Sequence, residues 1–333
     1  LFAVALLSLS VAAAPPLPGS FDSLGPTVQR LTLPDGRVVN FIDDGSETGL
    51  PVVFVGGLGT SVRVIRLLDF LRSMRQELGI RVISVERNGF GETAFNPALD
   101  MADYASDVEA ALARLGVGKF ALFGISGGGP YVMKIASRNG ARLLSVHLAA
   151  TSPTLGRSPS CEKENPAGIF RDLLKNPQEY FAFNESSPIH RVSGLQDTAY
   201  EEAARAAFVR GQLAAPAALD HEAALYCREG AIDTTSVTAD TYAYMGLADP
   251  LIANLAPEDW QAAFPNASVK VRAYPGEGHD VQYRHLDQIL LDLAGYGDKT
   301  LVCDKGQARL ADLGEVKQVM KEGGFLGLCA WGR

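Results

Sequence analysis

The chain has 333 residues, of which 47% are hydrophobic and 20% are charged, and its formal net charge is −8. This composition is typical of a globular protein with a large core, and no repeat of fixed period or low-complexity block points to a solenoid or a disordered chain. The acidic balance and the lack of a Lys/Arg cluster argue against nucleic acid and anionic membranes as partners. A small-molecule partner is therefore expected, and the sequence specifies no oligomeric state.

The first segment, LFAVALLSLSVAAAPPLPGS, is an apolar run followed by small residues and prolines. This order is typical of the hydrophobic and cleavage regions of a secretory signal peptide. The run is shorter than the roughly 20 residues that span a bilayer, and it ends at Pro15 and Pro16. We therefore expect residues 1–14 to be part of a signal peptide. The protein is expected to be secreted, without stable membrane insertion after the peptide is removed.

Residues 20–151 alternate between short apolar strands and helical patterns. The segments VQRLTL and RVVNFI flank the turn sequence PDG and predict a β-hairpin over 28–42. Further strands are predicted to begin at Val52, Ile80, Lys119 and Leu143. Helices are predicted over 61–78, 101–115 and 127–139. Because strands that are apolar on both faces lie in the middle of a parallel sheet covered by helices, we expect a doubly wound α/β core.

The alternation stops between Thr151 and Asp240, where the sequence reads as a series of amphipathic helices. An insertion of this size is expected to lie over the carboxyl edge of the sheet, where ligands bind in open α/β folds. We therefore assign residues 152–238 to a helical cap. Its aromatic residues are either walls of a binding pocket or the core of the cap itself: Phe170, Tyr180, Phe181, Phe183, Phe208 and Tyr226.

Residues 239–296 return to the α/β pattern, with strands beginning at Thr241 and Ser268 and a helix over 281–293. The segment 297–333 follows as a short C-terminal extension. One helix is predicted in it over 310–322, ended by Gly323 and Gly324.

The four cysteines have none of the spacings of a zinc or redox site. In an exported chain they are expected to form two disulfides. Cys161 and Cys227 lie in one region of the chain and Cys303 and Cys329 in another, which favours the pairs Cys161–Cys227 and Cys303–Cys329 among three connectivities. The alternative is four free, buried thiols in a cytosolic protein.

The stretch KFALFGISGGGPYVMKIA contains the pattern G-x-S-x-G at Gly124, Ser126 and Gly128. The pattern is short enough to arise by chance, but here a predicted strand precedes it and a predicted helix follows it. In so tight a turn a side chain at either glycine would clash, and the serine hydroxyl is exposed at the sheet edge. At these residues the sequence resembles the α/β-hydrolase superfamily, and the resemblance covers residues 28–293.

The resemblance implies a catalytic triad in the chain order Ser126, Asp249, His279. Serine needs a neighbouring base to take its proton, and the carboxylate orients and stabilises that base. His279 lies in the loop PGEGHD before the last core helix, and Asp249 follows the predicted strand TYAYMGL. The other possible position for the acid, in HLAATSPT, has no carboxylate.

The other four histidines fit the role of base less well. His147 lies within an apolar strand and is expected to be a core residue, while His190 and His221 lie in the cap. His285 lies within the last core helix and is expected to point elsewhere.

A developing oxyanion needs preorganised donors, and the resemblance implies the backbone amides of Gly127 and Leu58 for this role. Where the family usually has His-Gly, this sequence has Gly56 and Gly57. The stretch ERNGFGET, over 86–93, resembles the family's D-R-x-G-x-G-x-S turn, and we assign it a structural role.

These residues predict a serine hydrolase that acts on a carboxylic ester of a small or medium, largely apolar substrate through an acyl-enzyme. An amidase, a lactonase, a carbon–carbon bond hydrolase or a peroxide-forming hydrolase would use the same residues. A non-catalytic, ligand-binding member of the fold is the alternative from another class. The sequence has no metal cluster, dinucleotide fingerprint or phosphate loop, so neither a metal nor a cofactor is predicted.

Overall fold

The computed structural model describes residues 25–153, 161, 216–252 and 255–329. The predicted signal peptide, most of the predicted cap and the last four residues lie outside these ranges. The same is true of His190 and of all the aromatic candidates for pocket walls except Tyr226.

An eight-stranded sheet forms the centre of the molecule, with strand order β1-β2-β4-β3-β5-β6-β7-β8. Its strands are β1 (Gln29–Thr32), β2 (Val38–Asp44), β3 (Leu50–Val55), β4 (Ile80–Val85), β5 (Phe120–Ile125), β6 (Leu143–Ala149), β7 (Asp240–Gly246) and β8 (Val269–Tyr274). β1 and β2 form the predicted antiparallel hairpin, and β2 also runs antiparallel to β4. All the other neighbouring strands are parallel, which confirms the mostly parallel α/β architecture.

Helices cover both faces of this sheet. The α-helices between residues 25 and 296 in the described ranges are α1 (Arg72–Glu77), α2 (Met101–Arg114), α3 (Gly128–Asn139), α4 (Pro216–Arg228), α5 (Pro257–Ala263), α6 (Val281–Arg284) and α7 (Leu286–Leu293). Apolar residues of α2 and α3 pack on one face, together with Trp260 and Phe264. Apolar residues of α7 and of a 3₁₀ helix over Val62–Leu71 pack on the other face.

Two predicted helices differ from the observed ones. The helix predicted over 61–78 is a 3₁₀ helix followed by the short α1, and its Val62, Val64 and Ile65 are all buried. β-Branched residues are poor α-helix formers, so tertiary packing decides the conformation here. The helix predicted over 281–293 breaks at His285, whose ring stacks on Tyr274 with 3.6 Å between centroids.

The C-terminal extension forms a second, three-stranded sheet with strand order β10-β9-β11. Its elements are β9 (Lys299–Asp304), β10 (Gln307–Asp312), α8 (Leu313–Lys321) and β11 (Phe325–Leu326). The helix predicted from residue 310 begins at Leu313, because Leu310 pairs with Leu301 of β9. Lys305 and Gly306 both have positive φ, as the two-residue hairpin turn between β9 and β10 requires.

The structure contains two disulfides, and their connectivity is the predicted one. Cys161 is bonded to Cys227 near the end of α4. Cys303 in β9 is bonded to Cys329, which follows β11 and lies 26 residues further along the chain. Within the residues that the structure describes, no helix is both long and apolar enough to cross a bilayer.

We expect the double variant Cys303→Ala/Cys329→Ala to be about 3 kcal/mol less stable than the wild type. The physical reason is that a disulfide closing a loop of this length restricts the unfolded chain by about that amount. Equilibrium unfolding in urea measures the difference. An unchanged unfolding midpoint, or cross-paired cysteines in non-reducing peptide maps, would contradict the expectation.

Candidate active site

Ser126 lies in the turn between β5 and α3, at the carboxyl edge of the sheet. Its φ of 51° is in the left-handed region, which costs a non-glycine residue about 1–3 kcal/mol. Two backbone hydrogen bonds hold the turn: the Ser126 amide donates to the Ala149 carbonyl at 2.9 Å, and the Gly129 amide donates to the Ser126 carbonyl at 3.0 Å. The strained backbone projects the hydroxyl out of the turn, as in a nucleophile elbow.

The two glycines of the motif are required by close packing around the turn. A Cβ atom at Gly124 would lie 2.7 Å from a methyl carbon of Val132 in α3. At Gly128 it would lie 2.4 Å from the carbonyl oxygen of Val55, at the end of β3. Both distances are below those of real Cβ contacts, so the elbow exists in this form only with glycine at both positions.

The structure brings His279 and Asp249 to Ser126, although the three lie far apart in the chain. His279 Nε2 is 2.9 Å from Ser126 Oγ, and His279 Nδ1 is 2.7 Å from Asp249 Oδ2. A carboxylate only accepts, so Nδ1 carries the proton and Nε2 is left to accept from the serine hydroxyl. The Asp249 side chain is 1% exposed, and its Oδ1 accepts from the Leu251 amide at 2.8 Å.

The loops that carry Asp249 and His279 pack directly against each other. The Ala248 amide donates to the Glu277 carbonyl at 2.8 Å. Gly246, the last residue of β7, allows this approach, since a Cβ atom there would lie 2.3 Å from the Gly278 carbonyl oxygen. No local pattern marks Gly246, because its need for glycine arises from a contact between distant segments.

Glu277 anchors the loop of His279 to the helices that follow it. His285 Nε2 lies 2.9 Å from the Glu277 carboxylate, and Arg284 forms an ion pair with it at 3.5 Å. The His285 ring is therefore turned away from Ser126, as predicted. Its bond to Glu277 holds the loop that carries His279.

The Leu58 amide lies against Gly127, the residue that follows Ser126. A Cβ atom at Gly127 would be 2.7 Å from the Leu58 nitrogen, and one at Gly57 would be 3.9 Å from Ser126 Oγ. In the part of the chain that the structure describes, neither amide has a hydrogen-bond acceptor. Two free N–H groups next to a serine hydroxyl form a suitable binding place for an oxyanion.

His147 and His221 form hydrogen bonds away from Ser126. His147 is fully buried between Ser145 and Tyr244, to which its ring nitrogens bond at 2.9 Å each. Burial, together with the positive charge of Arg272, lowers the pKa of His147 to about 3, so the ring is neutral. His221 Nε2 donates to the Leu99 carbonyl at 2.7 Å.

The turn over 86–93 is held by its buried glutamate, in agreement with the structural role assigned to it. The Glu86 carboxylate accepts from the amides of Glu92 and Thr93 and from the Asn40 side chain, each at 3.0 Å. Burial raises the pKa of Glu86 despite these bonds. Across the described ranges, no three His, Cys, Asp or Glu side chains are grouped as a metal site requires.

Several solved structures share this fold at low sequence identity. A putative aryl esterase from Burkholderia cenocepacia is 17% identical, with a TM-score of 0.60 over 81% of this chain and 98% of its own. An esterase from Exiguobacterium antarcticum is 19% identical, with a TM-score of 0.59 over 81% and 99%. Epoxide hydrolases from metagenomes of hot environments are represented at 14% identity, with a TM-score of 0.58 over 82% and 98%.

No curated protein sequence matches this chain. Residues 51–286, more than two thirds of the chain, match the family model described as alpha/beta hydrolase fold. The matched range contains Ser126, Asp249 and His279 and begins within β3. The chain belongs to the alpha/beta hydrolase family.

Proposed function

We propose that the protein is a serine hydrolase that cleaves carboxylic esters of small or medium, largely apolar substrates through an acyl-enzyme intermediate. The observation that carries the proposal is the unbroken series of hydrogen bonds from Ser126 through His279 to Asp249. The free amides of Leu58 and Gly127 beside it add the second requirement of acyl transfer.

In the first half of the reaction, Ser126 Oγ attacks the ester carbonyl carbon while its proton moves to His279 Nε2. The carbonyl oxygen becomes negatively charged and accepts hydrogen bonds from the amides of Leu58 and Gly127. The carbon–oxygen bond to the alcohol then breaks as His279 returns the proton to the departing oxygen. The alcohol leaves, and the acyl group remains on Ser126.

In the second half, a water molecule takes the place of the alcohol. His279 Nε2 accepts one water proton as the water oxygen attacks the acyl carbon, and the same two amides stabilise the oxyanion. The bond to Ser126 Oγ breaks, and the proton on His279 returns to the serine. The carboxylic acid is released with the enzyme in its starting state.

The buried Asp249 would hold the imidazole in the tautomer that both steps need, and its negative charge would stabilise the imidazolium formed in each. The Leu251 amide satisfies its other carboxylate oxygen. The aspartate therefore cannot rotate away from His279 without losing a hydrogen bond.

Ester chemistry is favoured by the solved relatives that are described as esterases. A serine at the elbow argues against epoxide hydrolysis in this chain, because epoxide hydrolases of this fold use aspartate as the nucleophile. Leu247 and Leu251, on either side of Asp249, are each about half exposed and support an apolar substrate group. Two disulfides are typical of an oxidising compartment and support secretion of the protein.

We expect a fluorophosphonate probe to modify the purified protein at Ser126, as identified by peptide mapping. The variant Ser126→Ala should not be labelled, because it lacks the nucleophile. His279→Ala should be labelled at least about 100 times more slowly, because no base takes the serine proton. His147→Ala is not a useful control, since that ring is part of the core; His221→Gln is, and it should be labelled at the wild-type rate.

A folded wild-type protein that resists the probe would contradict the proposed function. Equal labelling of the wild type and His279→Ala would contradict the role of His279. The rates of hydrolysis of p-nitrophenyl acetate, butyrate and palmitate then establish the preferred acyl length. Comparison with the matched anilides establishes the preference for esters over amides.

We expect Asp249→Asn to lower kcat by about 10³–10⁴-fold with little change in KM, because an amide favours the wrong imidazole tautomer. Asp280→Asn, one residue beyond His279, is the matched control and should retain activity within about threefold. Steady-state kinetics with the best p-nitrophenyl ester measures both. A loss below about tenfold in Asp249→Asn would contradict the assignment of Asp249.

A further inference from the structure

Helix α4 contacts both walls of the proposed oxyanion hole. It contributes two side chains one turn apart, Glu222 and Tyr226, which lie on the same face of the helix. Glu222 reaches the loop that carries Leu58, and Tyr226 reaches Gly127. No local sequence pattern predicts these contacts: Tyr226 is a candidate pocket wall by its aromatic side chain, and Glu222 belongs to no motif.

Glu222 is almost completely buried and uses both carboxylate oxygens. Oε2 accepts from the Gly59 amide at 2.7 Å, and Oε1 accepts from Arg87 Nε at 2.5 Å. The side chains of Glu222 and Arg87 are 2% and 4% exposed. The ion pair therefore joins α4 to the core in surroundings from which water is largely excluded.

Arg87 connects Glu222 to the peptide group that carries the Leu58 N–H. Its Nη1 donates to the Gly56 carbonyl at 2.8 Å, and its Nη2 donates to the Gly57 carbonyl. The Gly57 carbonyl and the Leu58 N–H belong to the same planar peptide group, in which the two bonds point in opposite directions. The Arg87 guanidinium, by bonding to the Gly57 carbonyl, therefore helps to fix the direction of the Leu58 N–H.

Thr60 donates to the same Gly57 carbonyl from Oγ1 at 2.7 Å and from its backbone amide at 3.3 Å. Donation to a carbonyl also polarises the peptide and strengthens the N–H on its other side as a donor. Arg87 therefore helps both to orient the Leu58 N–H and to make it a stronger hydrogen-bond donor.

Glu222 is the anion that compensates the buried charge of Arg87. Burial acts to lower the pKa of Arg87, but the Glu222 carboxylate and the neighbouring tyrosines together raise it, and the net direction is upward. The guanidinium lies over the Tyr131 ring at 5.2 Å from its centroid, and an uncharged partner would leave this cation without an anion in the interior.

On the other wall, the Tyr226 hydroxyl donates to the Gly127 carbonyl at 2.6 Å. This bond restrains the peptide group that follows Gly127. The Gly127 N–H belongs to the preceding peptide, whose Ser126 carbonyl accepts from the Gly129 amide at 3.0 Å. Helix α4 therefore holds the peptide of the Leu58 amide through Arg87, and it holds Gly127 on its carbonyl side through Tyr226.

We propose that Glu222, acting through Arg87, and Tyr226 are positioning residues that make helix α4 of the cap region a structural part of the oxyanion hole. The inference rests on the proposed serine hydrolase function. It requires α4 to stay against the core during turnover, because withdrawing it would release the peptide that carries the Leu58 amide.

The test compares Glu222→Gln with Glu229→Gln. Glu229 directly follows α4 and pairs with Lys134 of α3, so its variant also removes an ion pair between this helix and the core. Its contact lies away from the loop over 56–59. Kinetics with a p-nitrophenyl ester are measured for both variants, along with the inhibition constant of phenylboronic acid, which forms a tetrahedral adduct with the serine.

We expect Glu222→Gln to lower kcat by about 10–100-fold with KM changed less than about threefold, because misaligned donors weaken binding only where charge develops. The boronic acid should lose affinity by a similar factor. Glu229→Gln should keep kcat and boronic acid affinity within about twofold of the wild type, even where its thermal midpoint falls.

A folded Glu222→Gln with wild-type kcat would overturn the proposal, as would equal losses of kcat in both variants. If Glu222→Gln does not fold, the milder Tyr226→Phe decides, with an expected loss of about 3–10-fold in kcat and in boronic acid affinity. Wild-type values for Tyr226→Phe in that case overturn the proposal. Failure of the wild type itself to hydrolyse esters or react with the fluorophosphonate overturns the proposed function, and this inference falls with it.

Discussion

The close approach of helix α3 to the ends of β3 and β5 is the constraint on which the site depends. No Cβ atom fits at Gly128 beside the Val55 carbonyl, or at Gly124 beside Val132. With both glycines in place the chain reverses within a few residues, and Ser126 takes a left-handed backbone conformation. The hydroxyl then stands at the edge of the sheet, next to the loop that follows β3.

The strand order explains how distant residues reach this point. β5 lies between β3 and β6, and β7 and β8 follow on the side of β6. In a parallel sheet, all these strands end at one edge, so the loops after β3, β5, β7 and β8 lie together there. Leu58, Ser126, Asp249 and His279 each lie in one of these loops. The loops of Asp249 and His279 meet because Gly246 gives them room.

Much of this arrangement could be predicted from local patterns. The parallel strands are continuous apolar runs, and a serine between glycines after such a run indicates an elbow. The sequence does not predict the C-terminal sheet although Lys305 and Gly306 carry a hairpin signal, because the helical pattern after them is the stronger one. The break at His285 depends on stacking against Tyr274, which no local pattern encodes. The contact of Glu222 with Arg87 joins residues 135 positions apart, and an isolated glutamate in a helix normally indicates only a solvated face.

Two buried ion pairs lie where additional segments meet the central sheet. Arg87 and Glu222 join α4 to the loop that carries the Leu58 amide. Arg272 and Asp292 lie under the C-terminal sheet, and Arg272 also donates to the Lys299 carbonyl at the start of β9. A buried ion pair adds little net stability compared with an apolar contact of the same volume, so stability alone is a weak reason for either pair.

A buried ion pair with hydrogen bonds does, however, fix the relative orientation of the segments that it joins. An apolar contact would hold α4 against the core while tolerating small rotations and shifts of the helix. The planar guanidinium of Arg87 instead bonds at once to one carboxylate and two backbone carbonyls, each from a fixed direction. A shift of α4 would therefore break bonds to the Leu58 loop rather than slide along it. Because a misplacement of about 1 Å in a catalytic group can cost about 100-fold in rate, this directionality is the property that an oxyanion hole requires of its supports.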